Sequence, residues 1–202
     1  MLIAETTIPP LALLSMNILI IDQIAGRAEP LEAALKDLGH NVIIRPPGKY
    51  AIYQMVESFK PDVVIVDAES PDRDTLEDVS LTSDRLPRPI IFFSDDEDDE
   101  VIRQSIQAGV SAYIVDGLQP SRVKSLLNVA ISRFEEHQKL KGELKKTRNE
   151  LAERKVIDRA KGLLMKHKQC DEESAFAAMR NMAMNKKVRL AEIAQDIIDL
   201  FG

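Results

Sequence analysis

MNILIID (residues 16–22) and DVVIVD (residues 62–67) are the segments that decide the fold. Each is a short, mainly apolar run, and the runs end in Asp22 and Asp67. A strand that is apolar at nearly every position is typical of a parallel sheet, because helices cover both of its faces. The two segments therefore predict neighbouring buried strands, each followed by an acidic side chain.

Helical patterns alternate with further short strands around these two segments. In the first helix, Leu31, Leu35 and Leu38 lie on one stripe, and Gly39 suits the position after the helix end. Five strands alternating with helices predict an α/β fold, a (βα)5 doubly wound parallel sheet. The predicted strands are 16–21, 41–44, 62–66, 89–93 and 112–115, and the helices between them are 28–38, 52–59, 75–83 and 101–108.

Folds of this kind place their functional site at the carboxyl ends of the strands. The residues found there are Asp22, Asp67, Ser94 and Asp116. A run of six acidic residues, 95–100, follows the fourth strand and is expected to be a solvated loop. The sequence thus predicts an acidic site at one edge of the sheet.

Charge divides the chain into two parts. Residues 1–120 contain 9 basic and 21 acidic side chains, whereas residues 121–202 contain 18 basic and 12 acidic ones. Such asymmetry indicates an acidic regulatory part joined to a part that binds a polyanion. A solvated basic helix face is the alternative interpretation of the second part.

The cysteine and histidine content and the first residues of the chain limit the possible classes of function. The single Cys170 excludes an internal disulfide and a cysteine zinc cluster, and a cytoplasmic location is expected. Residues 1–15 are expected to form a loose N-terminal extension. The three histidines are scattered, and we find neither a nucleophile–base pair nor a glycine-rich phosphate loop, so no catalytic residues and no enzymatic activity are expected.

A long helix is predicted from Ser121 to Lys168, because residues 121–202 contain no proline. Apolar positions recur along it at steps of four and three, through Phe134 and again from Leu140 to Leu151. This spacing predicts a coiled coil over 121–152 that joins two chains as a homodimer. A solvated linker helix of a single chain remains the alternative.

Residues 153–202 are predicted to form a small three-helix unit. Asp171 suits the N-cap of its second helix, and a stripe that includes Phe176 and Met179 is expected to face the core. Basic residues cluster on all three helices, where phosphate groups are the expected ligands. The candidate RNA-binding residues are Arg154, Lys155, Arg159, Lys161, Lys166, Arg180, Lys186, Lys187 and Arg189.

Residues 16–134 resemble a response-regulator receiver domain through ILIID, PDVVIVDAESPDRDTL, PIIFFS and AGVSAYIVDGL. The resemblance implies that Asp67 accepts a phosphoryl group and that Asp22, Asp67 and the carbonyl of Glu69 hold Mg²⁺. It also implies that Ser94 bonds the phosphoryl oxygen and that Tyr113 is the aromatic switch. No other cofactor is implied. Gln23 stands where receivers have a second acid, and Asp116 stands where they have a lysine. An idle site is therefore the alternative to a phosphorylated one.

Residues 153–198 resemble the ANTAR RNA-binding domain, through Ala160-Lys161-Gly162, Ala175-Phe176, Met179-Arg180 and Ala183-Met184. A receiver, a coiled coil and an ANTAR domain in this order resemble the AmiR/NasT family of transcription antiterminators, and the chain is NasT-like. The resemblance implies binding to hairpin loops of a leader RNA, so that a terminator does not form. It also implies a role in nitrate or nitrite assimilation and a separate sensor protein of the NasS type. With few aromatic residues in this part, close approach of RNA at Ala160, Gly162 and Ala183 is expected to assist recognition.

Two alternatives remain open. A DNA-binding response regulator requires a recognition helix, but the last helix, LAEIAQDIIDLF, is acidic and apolar. A protein-interaction module with an idle receiver requires only that the coiled coil and the basic part bind another protein. Binding to structured leader RNA, measured against duplex DNA, distinguishes these alternatives from an antiterminator.

Overall fold

The structure is a computed structural model that describes residues 15–23, 26–46, 51–115 and 120–202. The chain divides into two compact units, Met1–His137 and Gln138–Gly202, which are described separately below. The expected N-terminal extension (apart from Ser15) and Asp116 lie outside the described residues. None of the described helices is both long enough and apolar enough to cross a membrane.

The first unit contains a five-stranded parallel sheet, whose strands are β1 (Asn17–Asp22), β2 (Asn41–Arg45), β3 (Val63–Ala68), β4 (Ile90–Ser94) and β5 (Ala112–Val115). The strand order is β2-β1-β3-β4-β5. The predicted α/β class is therefore confirmed, and each strand lies within two residues of its predicted bounds. The order reverses between β1 and β3, which are neighbours in the sheet but not in the sequence, and such sheets place their sites at this switch.

Successive residues of a strand point to opposite faces of the sheet, and each face has its own core. In β1, Ile18 and Ile20 pack on one face with the first helix and the start of the long helix. Leu19 and Ile21 pack on the other face, with side chains of the second and third helices. Burial on both faces explains why β1 and β3 are apolar at nearly every position.

Four helices in this unit connect the strands: α1 (Glu29–Asp37), α2 (Ile52–Phe59), α3 (Arg73–Arg85) and α4 (Asp99–Ala108). Helix α3 is longer than predicted because the Asp72 carboxylate accepts a hydrogen bond from Thr75 N at 2.8 Å and caps the helix start. Helix α2 has no cap of its own. The Asp78 carboxylate of α3 instead accepts hydrogen bonds from Ile52 N and Tyr53 N.

Residues 95–98 of the acidic run form a largely exposed loop, so the expectation of a solvated loop is confirmed there, and the run continues into α4. The Asp98 carboxylate caps α4 by accepting from Glu100 N and Val101 N, and Asp99 and Glu100 form the first turn of that helix. Asp96 accepts a hydrogen bond from Ser70 Oγ at 2.5 Å. Acidic residues are favourable here because the N-terminus of a helix carries a partial positive charge.

The long helix α5 spans Val123–Lys168 and confirms the continuous helix predicted from the absence of proline. A short 3-10 turn, Pro120–Arg122, precedes it. Val123, Leu127, Ala130 and Ile131 pack on the sheet of the first unit. Farther along the helix, Leu140, Leu144 and Leu151 are 57%, 52% and 52% exposed.

The second unit packs the end of α5 against α6 (Glu172–Lys186) and α7 (Leu190–Phe201). The predicted cap is present, since the Asp171 carboxylate accepts a hydrogen bond from Ser174 N at 2.9 Å. Met179 is fully buried, but Phe176 is 41% exposed. The expectation that Phe176 belongs to the core was therefore wrong, because it lies one residue beyond the buried stripe and is rotated about 100° from Ala175.

Candidate functional site

The carboxyl ends of β1, β3 and β4 bring Asp22, Asp67 and Ser94 to the same edge of the sheet. Asp22 is the register partner of Asp67 in the β1–β3 pair, and Ser94 is the partner of Ala68 in the β3–β4 pair. All three side chains are buried. Parallel pairing explains the convergence that the sequence predicted, because strands that run in one direction end at one edge.

Arg27 is the cation of this site. Its Nε lies 3.2 Å from Asp67 Oδ1, and its two terminal nitrogens donate to Asp95 Oδ2 at 2.6 Å and Oδ1 at 2.7 Å. The pair with Asp95 is a bidentate guanidinium–carboxylate contact, which is the stronger geometry for such pairs. Arg27 therefore joins the segment before α1 to the loops that follow β3 and β4.

The charges of these three side chains influence each other. Burial raises the pKa of Asp67, and Arg27 opposes that rise. The hydrogen bond from Arg27 lowers the pKa of Asp95, and the same bond raises the pKa of Arg27. Asp67 Oδ1 is buried and accepts no hydrogen bond of good geometry among the described residues, so its contact with Arg27 is chiefly electrostatic.

Ser94 and Tyr113 make hydrogen bonds within the chain. Ser94 Oγ donates to the carbonyl of Glu69 at 2.8 Å and accepts from Asp96 N at 3.1 Å. Tyr113 Oη donates to the carbonyl of Asp96 at 3.0 Å, and its ring lies 6.2 Å from that of Phe92. Burial raises the pKa of Tyr113. Both residues therefore hold the loop that follows β4 in place.

The residues present do not fit the Mg²⁺ site that the receiver resemblance implies. The described residues contain no group of three or more His, Cys, Asp or Glu side chains placed to hold a metal ion. The Glu69 carbonyl already accepts from Ser94 Oγ and from Asp95 N. The guanidinium of Arg27 lies beside the Asp67 oxygen that would bind the ion. A hard divalent cation needs several free oxygen ligands, and this arrangement does not supply them.

Four residues of α5 form an exposed stripe on the second unit: Lys155, Arg159, Gly162 and Lys166. Their steps of four, three and four place them on one helix face, away from the buried Ala160 and Leu164. None of the three cations has an ion pair or hydrogen bond to another described side chain. A β-carbon added at Gly162 would meet no atom within 4 Å. We call these four residues the α5 stripe.

Other predicted RNA-binding residues are neutralised within the unit. Lys161 Nζ lies 2.6 Å from Glu172 and 3.0 Å from Asp158, and Lys186 Nζ lies 3.1 Å from Asp196. Arg189 pairs with Glu153 at 3.3 Å and Glu192 at 3.2 Å, and Arg154 is 3.9 Å from Asp158. Arg180 and Lys187 have no such partner in the described part of the chain.

Two of the three positions expected to allow close approach of RNA are not accessible. Ala160 is fully buried, and Ala183 is also buried in the core of the second unit. Both are small because helices pack against each other at these positions. Only Gly162 is exposed, so the expectation was wrong for Ala160 and Ala183.

Comparison with known proteins shows what the chain is similar to. The family model for the ANTAR domain matches residues 145–198. The transcriptional regulatory protein PdtaR of Mycobacterium tuberculosis is 27% identical over 172 residues, which are 85% of this chain and 84% of that protein. Residues 145–198 are an ANTAR domain, and the chain is similar to a transcriptional regulatory protein over most of its length. A nitrate regulatory protein of Klebsiella oxytoca is 40% identical over 75 residues, covering 37% of this chain and 19% of that protein.

The sheet of the first unit has the fold of receiver domains. A response regulator from Thermotoga maritima superposes with a TM-score of 0.52 at 20% identity, and the match covers 59% of this chain and 99% of that structure. The receiver-like fold that the resemblance implied is therefore confirmed.

Arg27 was not among the site residues predicted from the sequence. The residue lies outside every strand and helix, and Asp95 is 68 positions away along the chain. One signal was available, since Arg27 is an isolated basic residue shortly after β1 in a strongly acidic half. A cation near two strand-end carboxylates is favoured electrostatically, and this argument would have pointed to it.

Proposed function

We propose that this chain is a transcription antiterminator that binds hairpin loops of a leader RNA and prevents a terminator from forming. The observation that carries the proposal is the α5 stripe, where three cations without partners surround an open glycine inside the ANTAR match. Unneutralised side chains are available to phosphates at no cost in broken ion pairs. The protein acts by preferring one of two RNA folds and catalyses no reaction.

The RNA-binding residues fall into two groups under this proposal. Lys155, Arg159, Lys166, Arg180 and Lys187 contact the RNA backbone directly. Lys161, Lys186 and Arg189 instead link helices of the three-helix unit through their ion pairs, whereas Arg154 pairs only within α5, with Asp158. Their side chains contact RNA only where those pairs open.

Binding to a two-hairpin RNA with randomised loops, compared with duplex DNA of equal length, tests the function. We expect the RNA to be preferred and Lys155→Gln with Arg159→Gln to weaken its binding. Each lost contact reduces the slope of log K against log salt by roughly 0.7 to 0.9. Lys139→Gln is the matched control, since Lys139 is an exposed basic residue of α5 outside the ANTAR match. Equal affinity of the double variant and the control contradicts the proposed interface.

We propose that two chains associate through the part of the predicted coiled coil, 121–152, that lies beyond Phe134, because Val123, Leu127 and Ala130 pack on the sheet of the first unit. Leu140, Leu144 and Leu151 are more than half exposed, and an apolar stripe along a long helix requires a partner in water. A dimer presents two ANTAR domains, which suits a target of two hairpins because the second binding event becomes intramolecular.

We propose that a second protein contacts the first unit and thereby regulates the RNA-binding unit. Phosphorylation of Asp67 is not the regulatory signal in this proposal. The support is that Arg27 already pairs with Asp67, and that the Glu69 carbonyl already accepts hydrogen bonds from Ser94 Oγ and Asp95 N. The partner is a separate sensor protein of the NasS type, and the signal is nitrate or nitrite. Similarity to a nitrate regulatory protein supports this signal. Co-purification of the full chain with and without nitrate tests it, and recovery of no sensor under either condition contradicts it.

A DNA-binding function has no comparable support. Helix α7 buries Ile193, Ala194 and Ile197. All charged residues of this helix are acidic: Glu192, Asp196 and Asp199. An acidic helix is repelled by the phosphate backbone and is a poor recognition helix.

A further inference from the structure

Helix α6 has an exposed face that the core of the second unit does not explain. Its buried side consists of Ala175, Met179 and Ala183. Phe176, Arg180 and Met184 follow each other at every fourth position, so they lie on one face of the helix. We call these three residues the α6 face.

The α6 face leaves a large apolar surface in contact with water. Phe176 is 41% exposed and Met184 is 66% exposed. Two exposed apolar side chains that lie two turns apart on one helix face keep apolar area in water, which a bound ligand would cover. Their exposure therefore indicates a binding surface.

Arg180 lies between these two side chains and has no ion pair or hydrogen bond among the described residues. Neighbouring cations such as Lys186 and Arg189 do have carboxylate partners. The face thus fits a ligand that has flat apolar surfaces and a negative charge in close proximity.

We propose that the α6 face binds one unpaired base of the RNA, with Phe176 stacked on the base and Arg180 bonded to the adjoining phosphate or the base edge. Met184 lies two turns farther along the helix, about 12 Å from Phe176, and would contact a neighbouring nucleotide. Every base has a flat π surface, and arginine is the cation that both stacks and makes paired hydrogen bonds. This inference rests on the proposed function and extends it, because the α5 stripe binds the backbone whereas the α6 face selects unpaired nucleotides.

A double-mutant cycle on the full chain tests the inference. The probe is a two-hairpin RNA selected from a pool with randomised loops, synthesised either intact or with one loop base removed. Phe176→Leu keeps an apolar side chain but removes the ring, and we expect it to weaken binding of the intact RNA on the order of 10- to 100-fold. Phe176→Tyr keeps the ring and is expected to restore binding.

The abasic RNA distinguishes stacking from a general loss of structure. Removal of the stacked base should weaken binding by the unaltered chain to a similar degree and should have little further effect on Phe176→Leu. Leu200→Ala is the matched control, since Leu200 is an apolar side chain of the same unit that is 75% exposed. It should bind as the unaltered chain does.

Three results overturn the inference and are distinguishable. If the unaltered chain binds the RNA and Phe176→Leu binds as tightly as Leu200→Ala, the α6 face does not select bases, and the proposed antiterminator function stands. If losses from Phe176→Leu and from base removal multiply at every loop position, the ring does not contact a base. Failure of the unaltered chain to bind any RNA of the pool overturns both the inference and the proposed function.

Discussion

Replacement of Gly162 by alanine should stabilise the protein and weaken its binding to RNA. Glycine within a helix costs about 1 kcal/mol relative to alanine, because its backbone loses more conformational freedom on folding. The new β-carbon meets no atom within 4 Å, so the free energy of unfolding should increase by the full amount, about 1 kcal/mol. In the complex, the same methyl group lies among three cations that contact phosphates. Holding the RNA away from the helix should cost about 1–2 kcal/mol, or roughly a 5- to 30-fold loss of affinity.

Gly142 provides a matched control for this prediction. It lies in the same helix, a β-carbon there also meets nothing within 4 Å, and it is outside the ANTAR match. Urea unfolding followed by circular dichroism should show the same gain in stability for Gly142→Ala and Gly162→Ala. Titration of a two-hairpin RNA should show lower affinity for Gly162→Ala alone. Equal affinities of the two variants would refute the reasoning, because the glycine would then have no role at the interface.

Three further predictions concern the receiver-like site and the coiled coil. Arg27→Gln should lower the free energy of unfolding by about 2 kcal/mol at pH 7, because Asp67 would stay buried without its cation. The loss stays at this size because Arg27 is itself partly exposed, and solvent weakens its interaction with Asp67. Loss of the cation raises the pKa of Asp67 further, so the loss of stability should grow as pH rises through the pKa of Asp67 in the unaltered chain, which already lies above 3.8, and it should fade below that pKa. Equal losses by urea unfolding at pH 7 and near pH 3 contradict this account. Treatment of the full chain with acetyl phosphate should leave Asp67 without a phosphoryl group by mass analysis, and stoichiometric labelling would show that Arg27 does not protect it. Leu144→Lys should shift the protein from dimer to monomer at micromolar concentration in sedimentation experiments, with a cost of about 1–3 kcal/mol per chain. A monomeric unaltered chain would contradict the proposed coiled coil.

The order of strands and helices was predictable because it depends on local pattern. Runs such as Val63–Val66 are apolar at every position, and only burial on both faces of a sheet accounts for that. Gly39 and Gly109, both with positive φ, end α1 and α4 where the sequence placed the stops. Helix starts were less accurate, since the cap at Asp72 depends on a side-chain hydrogen bond that apolar spacing does not reveal.

The candidate site was only partly predictable. Parallel strands must end at one edge, so the convergence of Asp22, Asp67 and Ser94 followed from the strand pattern. The division of basic residues into paired and unpaired groups did not follow from it. Lys161 reaches Glu172 across the turn between α5 and α6, and the sequence alone treats it as equal to Lys155.

The sequence by itself determined an α/β sheet, a long helix and a basic three-helix unit, because hydrophobic periodicity and charge composition are properties of neighbouring residues. Only the tertiary structure decided which charges neutralise each other and which apolar side chains stay in water. The contact between Arg27 and Asp95 depends on where two loops lie in the folded chain. Phe176 is exposed because a rotation of about 100° per residue separates it from Ala175, which is on the buried side of the helix. Pairing and exposure are relations between distant elements, so they depend on how the elements pack.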